Sequence, residues 1–182
     1  LMTMSEVLQE VFGVEIEKRS AFLSGPSFAR EVAAEQPTAV AVAAEDLAVA
    51  KCIQELFSTG YFRVYTNQDV VGIEIGGALK NVVAIAAGVV MGAGLGESAR
   101  AALITRGFAE LVRYGKKLGA KPETLMGLSG FGDLQLTCSS TKSSAVARQS
   151  SATAASTSAA APSTPAAPPK PSGSSTTVVC GS

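Results

Sequence analysis

The 182-residue chain has no histidine and no tryptophan, and aromatic residues make up only 5% of it. Without histidine it lacks the commonest general acid–base and the commonest metal ligand, so proton transfer falls to Lys, Asp, Glu, Tyr or water and no metal site is expected. With so few aromatics, a core has to be packed from Val, Leu, Ile and Ala, which the 47% hydrophobic content supplies. The three cysteines, Cys52, Cys138 and Cys180, are odd in number and far apart. That pattern fits neither a disulfide framework nor a zinc site and points to a reducing compartment. Net charge is missing too: Lys+Arg and Asp+Glu are both 15, so nothing electrostatic recommends nucleic acid or an anionic membrane as partner. All 15 acids precede Ser139 while Lys142, Arg148 and Lys170 follow it, which leaves the first part of the chain mildly acidic. Residues 1–20 carry no basic segment leading into an apolar run and a cleavage site, so no signal peptide is expected there, and a targeting peptide upstream stays open.

What is present divides the chain in three. Residues 1–68 alternate helical and strand periods: helices at 4–12, after Ser27 and at 47–57, and strands at 21–24, 39–43 and 62–65. This is an α/β pattern. Residues 69–138 read as helical throughout, with Asp69 as N-cap, a glycine-rich break at 92–96, and a second helix that ends at Gly119 with Lys116 and Lys117 in its last turn. Beyond Cys138 the composition becomes Ser, Ala, Thr and Pro, with five of the eight prolines and no aromatic. Such a segment cannot bury enough apolar surface to offset chain entropy, so 139–182 is expected to be a disordered tail. Residues 70–91 are apolar enough to raise the question of a membrane span, but Glu74, Lys80 and Asn81 in the middle speak for a helix buried in a soluble domain.

Three clusters could carry chemistry. In Gly76-Gly77-Ala78-Leu79-Lys80-Asn81, a helical Lys80 leans over positions i−3 and i−4, both glycines, which leaves room for a small ligand against the ammonium. The equally open alternative is a lysine reaching to the surface above glycines kept for close helix packing. In Gly127-Leu128-Ser129-Gly130-Phe131-Gly132-Asp133, the glycines can carry Asp133 into an interior where it meets Lys80, or merely form a turn that the aspartate caps. Ser24-Gly25-Pro26-Ser27-Phe28-Ala29 sits at a strand-to-helix junction, where Ser27 can cap the helix and free N–H groups attract anions, although most such junctions bind nothing. The run Gly92-Ala93-Gly94-Leu95-Gly96 is no dinucleotide fingerprint, because it lacks the Gly-x-Gly-x-x-Gly spacing and follows a helix.

Taken in order, the Ser24–Glu31, Gly77–Gly88, Ala99–Gly107 and Gly130–Cys138 blocks (SGPSFARE, GALKNVVAIAAG, ARAALITRG and GFGDLQLTC) resemble the NAD-dependent glycerol-3-phosphate dehydrogenase family in letters and spacing. The resemblance implies the C-terminal part of a Rossmann-type domain followed by an all-α substrate domain, with NAD or NADP as hydride partner. It also implies interconversion of dihydroxyacetone phosphate and sn-glycerol 3-phosphate, and a homodimer for the full-length parent. By the same likeness Lys80 is the catalytic lysine, Asn81 and Asp133 are its companions, Thr137 is a nearby polar contact, Gly25, Ser27 and Ser143 touch substrate, and Ala29 touches the cofactor. The family's location implies cytoplasm, or plastid stroma if a transit peptide exists. Two departures stand out. The family's glycine-rich loop and a further active-site lysine have no counterpart here, and Ser144 and Ala145 stand where Arg and Asn are expected. The expectation is therefore a dehydrogenase sequence with little or no turnover of its own. Its rivals are a related lysine-using hydroxyacid dehydrogenase and a non-catalytic helical module kept for dimerisation or regulation.

Overall fold

A computed structural model of the chain describes residues 2–139 and, as backbone, 176–179. Helix α1 (Met4–Phe12) begins at Thr3, whose hydroxyl accepts from the Glu6 N–H while the Glu6 carboxylate accepts from the Thr3 N–H, so two helix-end donors are satisfied together. A 3-10 segment, Val14–Arg19, which the sequence pattern does not announce, leads into β1 (Ser20–Ser24). Then come α2 (Ala29–Ala33), β2 (Thr38–Ala43), α3 (Leu47–Phe57) and β3 (Phe62–Asn67), all within two residues of the expected elements. The last strand runs on to Asn67 because it pairs in parallel with the full length of β2, Thr38 opposite Phe62 through Ala43 opposite Asn67.

Strand β1 lies antiparallel to β2 on the side away from β3. The period of two sorts the side chains: Ala21, Val40, Val42 and Val64 pack with Ala50 and Ile53 of α3, while Phe22, Ala41 and Ala43 face Ile73 of the helical layer. A fourth strand, β4 (Thr176–Val179), pairs antiparallel with the free side of β1. Ser139 belongs to a helix, and 176–179 are paired because four consecutive β-branched residues favour extended backbone beside an open strand edge. Residues 140–175, including the proline-rich run expected to be disordered, lie outside the described residues.

Helix α4 (Val70–Gly92) is capped by Asp69, whose Oδ1 accepts from the Gly72 N–H at 2.8 Å and whose Oδ2 accepts from the Lys121 N–H at 2.8 Å. The hinge between sheet and helices is tied further by Asn67, which accepts from the N–H groups of Gln68 and Asp69 and donates to Thr124. Helix α5 (Gly96–Lys117) follows a turn in which Gly94 and Gly96 take positive φ. After it come α6 (Pro122–Leu125), a π-helical segment at Leu128–Gly132, and α7 (Asp133–Ser139). Among the described residues, α4 alone is long and apolar enough to cross a membrane. It packs against α5, α7 and the sheet, with Ile75, Val83, Ala84 and Ala87 buried, so its apolar length serves as the centre of the helical layer.

Glu74 of α4 reaches back to α1, accepting from the Ser5 N–H at 2.8 Å and the Ser5 hydroxyl at 2.6 Å. Burial pushes its carboxyl above the ordinary 4.5, against the pull of those hydrogen bonds. A group easier to protonate folded than unfolded contributes stability below its unfolded pKa, and that contribution is lost as pH rises through the folded value. Urea unfolding should therefore show a contribution from Glu74 that declines as pH rises above about 4.5, and Glu74→Gln should remove it. An identical pH slope in the variant would rule Glu74 out as the source.

Candidate active site

Lys80 projects from the middle of α4 and Asp133 opens α7, and their side chains meet at 2.5 Å. Both are shielded from solvent, the lysine side chain 7% and the aspartate side chain 4% exposed, which settles the choice between a surface lysine and an interior one. Burial pushes the Asp133 carboxyl above its ordinary range, and the hydrogen bond and charge of Lys80 pull in the opposite direction without cancelling it. The product is an ion pair in a poorly solvated setting, where each partner depends on the other.

The glycines around the pair serve packing. A Cβ on Gly76 would stand 2.7 Å from the Ser129 carbonyl oxygen and 3.1 Å from Gly130, so the turn beneath Lys80 is filled by the backbone of the π-helical segment. This corrects the expectation that Gly76 keeps space for a ligand: the close approach of two backbones uses that space. Gly130 in turn lies against the Leu125 backbone, and Phe131 sets its ring edge-on to Phe108 of α5 at 5.1 Å between centroids. These contacts fix where the segment ends and hence where Asp133 points. The alternative in which Asp133 merely caps a turn gives way to a carboxylate carried inward on the first turn of a helix.

Thr137, one turn after Asp133, donates its hydroxyl to the Asp133 carbonyl at 2.7 Å. Asn81 follows Lys80 around the helix and is exposed. The Gly25-Pro26 turn comes close to the same segment, since a Cβ on Gly132 would lie 3.6 Å from Pro26. Gly25 has φ +153 and leans on Val40, where a Cβ would stand 2.9 Å from the Val40 Cα, so only glycine fits. Ser27 does not cap α2. The cap position is Phe28, with no side-chain bond, and the Ser27 hydroxyl donates to the Gly25 carbonyl at 3.1 Å, because the turn bends it back before the helix starts. Ala29 is the exposed first residue of α2. Ser143 lies outside the described residues.

Two features of the neighbourhood escape sequence reasoning. Ser24, 2% exposed, buries a hydroxyl that finds no hydrogen-bond partner. A buried unsatisfied hydroxyl costs about 1–3 kcal/mol, so Ser24→Ala should raise the stability of the isolated chain by a figure toward the lower end of that range. A loss of stability in thermal unfolding would show that the hydroxyl is satisfied in solution. The second feature is a cleft of about 410 Å³ between Ala41, Tyr65 and Asn67 on the sheet and Lys121, Thr124 and Ser129. Neither Lys80 nor Asp133 lines it, so the chemistry is placed by the ion pair and not by this cleft. Cys138, four residues past Leu134 in the same core, is buried with its thiol pushed up to about 11, which keeps it protonated and inert.

Comparison with known proteins adds the following. Residues 69–161 match the family model for the C-terminus of NAD-dependent glycerol-3-phosphate dehydrogenase, and residues 1–50 match the model for its N-terminus. A glycerol-3-phosphate dehydrogenase [NAD(P)+] from Syntrophotalea carbinolica is 59% identical over 143 residues, 79% of this chain and 43% of that protein. The crystal structure of a glycerol-3-phosphate dehydrogenase from Coxiella burnetii superposes with a TM-score of 0.72 at 42% identity, covering 83% of this chain and 50% of that one. A third relative, a glycerol-3-phosphate dehydrogenase from Saccharomyces cerevisiae, gives a TM-score of 0.63 at 37% identity, over 70% of this chain and 39% of that one. The chain thus spans less than half the length of the curated relatives it matches.

Proposed function

The chain belongs to the NAD-dependent glycerol-3-phosphate dehydrogenase family, and from that premise we propose that its Lys80–Asp133 pair is the proton-handling centre for interconversion of dihydroxyacetone phosphate and sn-glycerol 3-phosphate. Reducing a ketone adds hydride to carbon and a proton to oxygen. Lys80 supplies the proton at the substrate oxygen, and Asp133 holds the ammonium charged and aimed. Thr137 braces α7 behind the aspartate, Asn81 offers an amide on the exposed side of the lysine, and Gly25, Ser27 and Ser143 contact the substrate. Preorganised cationic donors of this kind are worth roughly 10²–10³ in rate. The single observation that supports the reading is the buried 2.5 Å contact between groups 53 residues apart in sequence.

The hydride partner, NAD or NADP, is a different matter. A dinucleotide needs a glycine-rich turn between strand and helix, and no Gly-x-Gly-x-x-Gly occurs in the 182 residues. The one strand-to-helix junction resembling it opens a five-residue helix with no side-chain cap, at which Ala29 is exposed. These residues do not make a cofactor cradle, so the chain by itself is proposed to turn over little or no substrate, with the chemistry belonging to a longer, homodimeric protein of the cytoplasm or a plastid stroma. The domains are proposed to divide at 68/69, where Asn67 and Asp69 tie the sheet to α4.

The test is a graft. Replacing the matching segment of the Syntrophotalea carbinolica enzyme with residues 2–139 should give a dehydrogenase whose kcat falls about 10²- to 10³-fold on Lys80→Ala. The isolated chain, given NADH and dihydroxyacetone phosphate, should show no steady-state consumption of NADH. A folded graft indifferent to Lys80→Ala would sink the proposal and favour a non-catalytic module.

A further inference from the structure

We propose that Asp69 is a positioning residue for the Lys80–Asp133 pair, its one carboxylate anchoring both arms that bring the ammonium and the aspartate together. The inference rests on the proposed role of that pair and adds what sets its geometry. Asp69 lies buried, 6% exposed, where the sheet passes into the helices. Its Oδ1 accepts from the Gly72 N–H, in the first turn of the helix that carries Lys80. Its Oδ2 accepts from the Lys121 N–H, at the start of the stretch that carries Asp133. Lys80 stands about three helical turns beyond the cap, and Asp133 follows Lys121 by way of α6 and the π-helical segment.

Short links run the whole length of the second arm. The Asn67 Oδ1 accepts from the Asp69 N–H at 3.0 Å and its Nδ2 donates to the Thr124 hydroxyl at 3.1 Å, so α6 is tied to the junction twice. The Gly127 N–H donates to the Thr124 carbonyl and the Gly132 N–H to the Gly127 carbonyl, each at 3.1 Å, which brings the chain to the residue before Asp133. The path of the carboxylate is kept clear as well. A Cβ on Gly72 would overlap the Asp69 Oδ2 and stand 2.8 Å from the Thr124 Cγ2, so glycine there lets the second oxygen reach across to Lys121. Capping alone does not account for an aspartate, since Asn or Ser caps a helix as well. Two N–H groups on two separate elements need two acceptor oxygens on one side chain. A carboxylate has both, whereas an amide has one and turns an N–H toward the other donor.

The experiment uses the full 182-residue chain and needs no turnover, so it can fail while the proposed reaction stands. Urea unfolding of the wild type, Lys80→Met, Asp133→Leu and the double variant gives the coupling within the pair. The same four are then measured with Asp69→Asn, which leaves one N–H without its acceptor whichever way the amide turns. A residue that merely stabilises the junction lowers all four alike and leaves the coupling as it was. A positioning residue is expected to cut the coupling to less than about half. Lys121→Pro repeats the test from the other side, removing the N–H donor at a position whose φ of −77° suits proline. Lys121→Ala keeps that N–H and should keep the full coupling. In the grafted enzyme, Asp69→Asn should lower kcat about 10- to 100-fold with KM within about twofold, because Asp69 acts through the pair and not on bound substrate. Coupling left intact by both Asp69→Asn and Lys121→Pro would overturn the proposal. So would an equal loss in Lys121→Ala, which would assign the effect to the lysine side chain.

Discussion

Lys80→Met alone is expected to lower the free energy of unfolding by about 3–5 kcal/mol, because it leaves the Asp133 carboxylate buried without its cation. Asp133→Leu should cost a comparable amount by stranding the ammonium. The double variant should lie well above the sum of the two losses, since two apolar side chains of similar volume remove both desolvation costs along with the attraction. Four urea denaturation curves on the full chain give the coupling energy directly. The loss in Lys80→Met should also shrink as pH is lowered. Asp133 is already pushed up by burial, and loss of Lys80 takes away the hydrogen bond and charge that oppose that shift, so it escapes its unpaired charge by taking a proton. Strictly additive losses with no pH dependence would mean that the two groups do not form a desolvated pair in solution, and the proposed proton-handling role would go with it.

Gly130→Ala is the second large effect. A Cβ at this position would overlap the Leu125 carbonyl oxygen and stand 2.8 Å from the Leu125 Cα. The obstacle is backbone, which has no rotamer to give way, and Leu125 is itself fully buried against Ile75, Leu111 and Ala120. The expected cost is about 3 kcal/mol, the upper end of the usual overpacking range. It should carry a functional signature as well. The π-helical segment would have to shift away from α6, and Asp133, which follows it, would leave its 2.5 Å contact with Lys80. In the grafted enzyme Gly130→Ala should therefore depress kcat even where enough folded protein survives to bind substrate. Full activity in a folded Gly130→Ala graft would show that the segment does not position Asp133.

Most of the element order was legible in the residues because local patterns report local structure. The switch from a period of two to a period of 3.6 near Asn67 marks the passage from sheet to helices, and the Asp69 cap and Gly119 terminator work within one turn of their own position. The site was legible only in part. Lys80 in an apolar helix and Asp133 after three glycines are each odd enough to single out, yet spacing alone left both with an ordinary explanation. The role of Gly76 was misjudged for the same reason: a glycine beneath a lysine looks like space until the segment that fills it, more than fifty residues later, is in place. Ser24 and Glu74 gave no warning at all. What distinguishes them, an unpaired hydroxyl and a bond across the molecule to Ser5, is a property of their neighbours.

The residues by themselves determined the chemistry available to this protein: no histidine, one lysine inside an apolar helix, one aspartate behind a run of glycines, and no dinucleotide turn. Composition and period are fixed by the chain and need no partner to be read. Tertiary structure alone decided that the ammonium and carboxylate meet, that Gly76 admits backbone instead of ligand, and that Thr176–Val179 pairs with β1. Each of those depends on contacts between residues dozens of positions apart, whose free energy comes from desolvation and shape at the point of meeting and leaves no trace in either segment read separately.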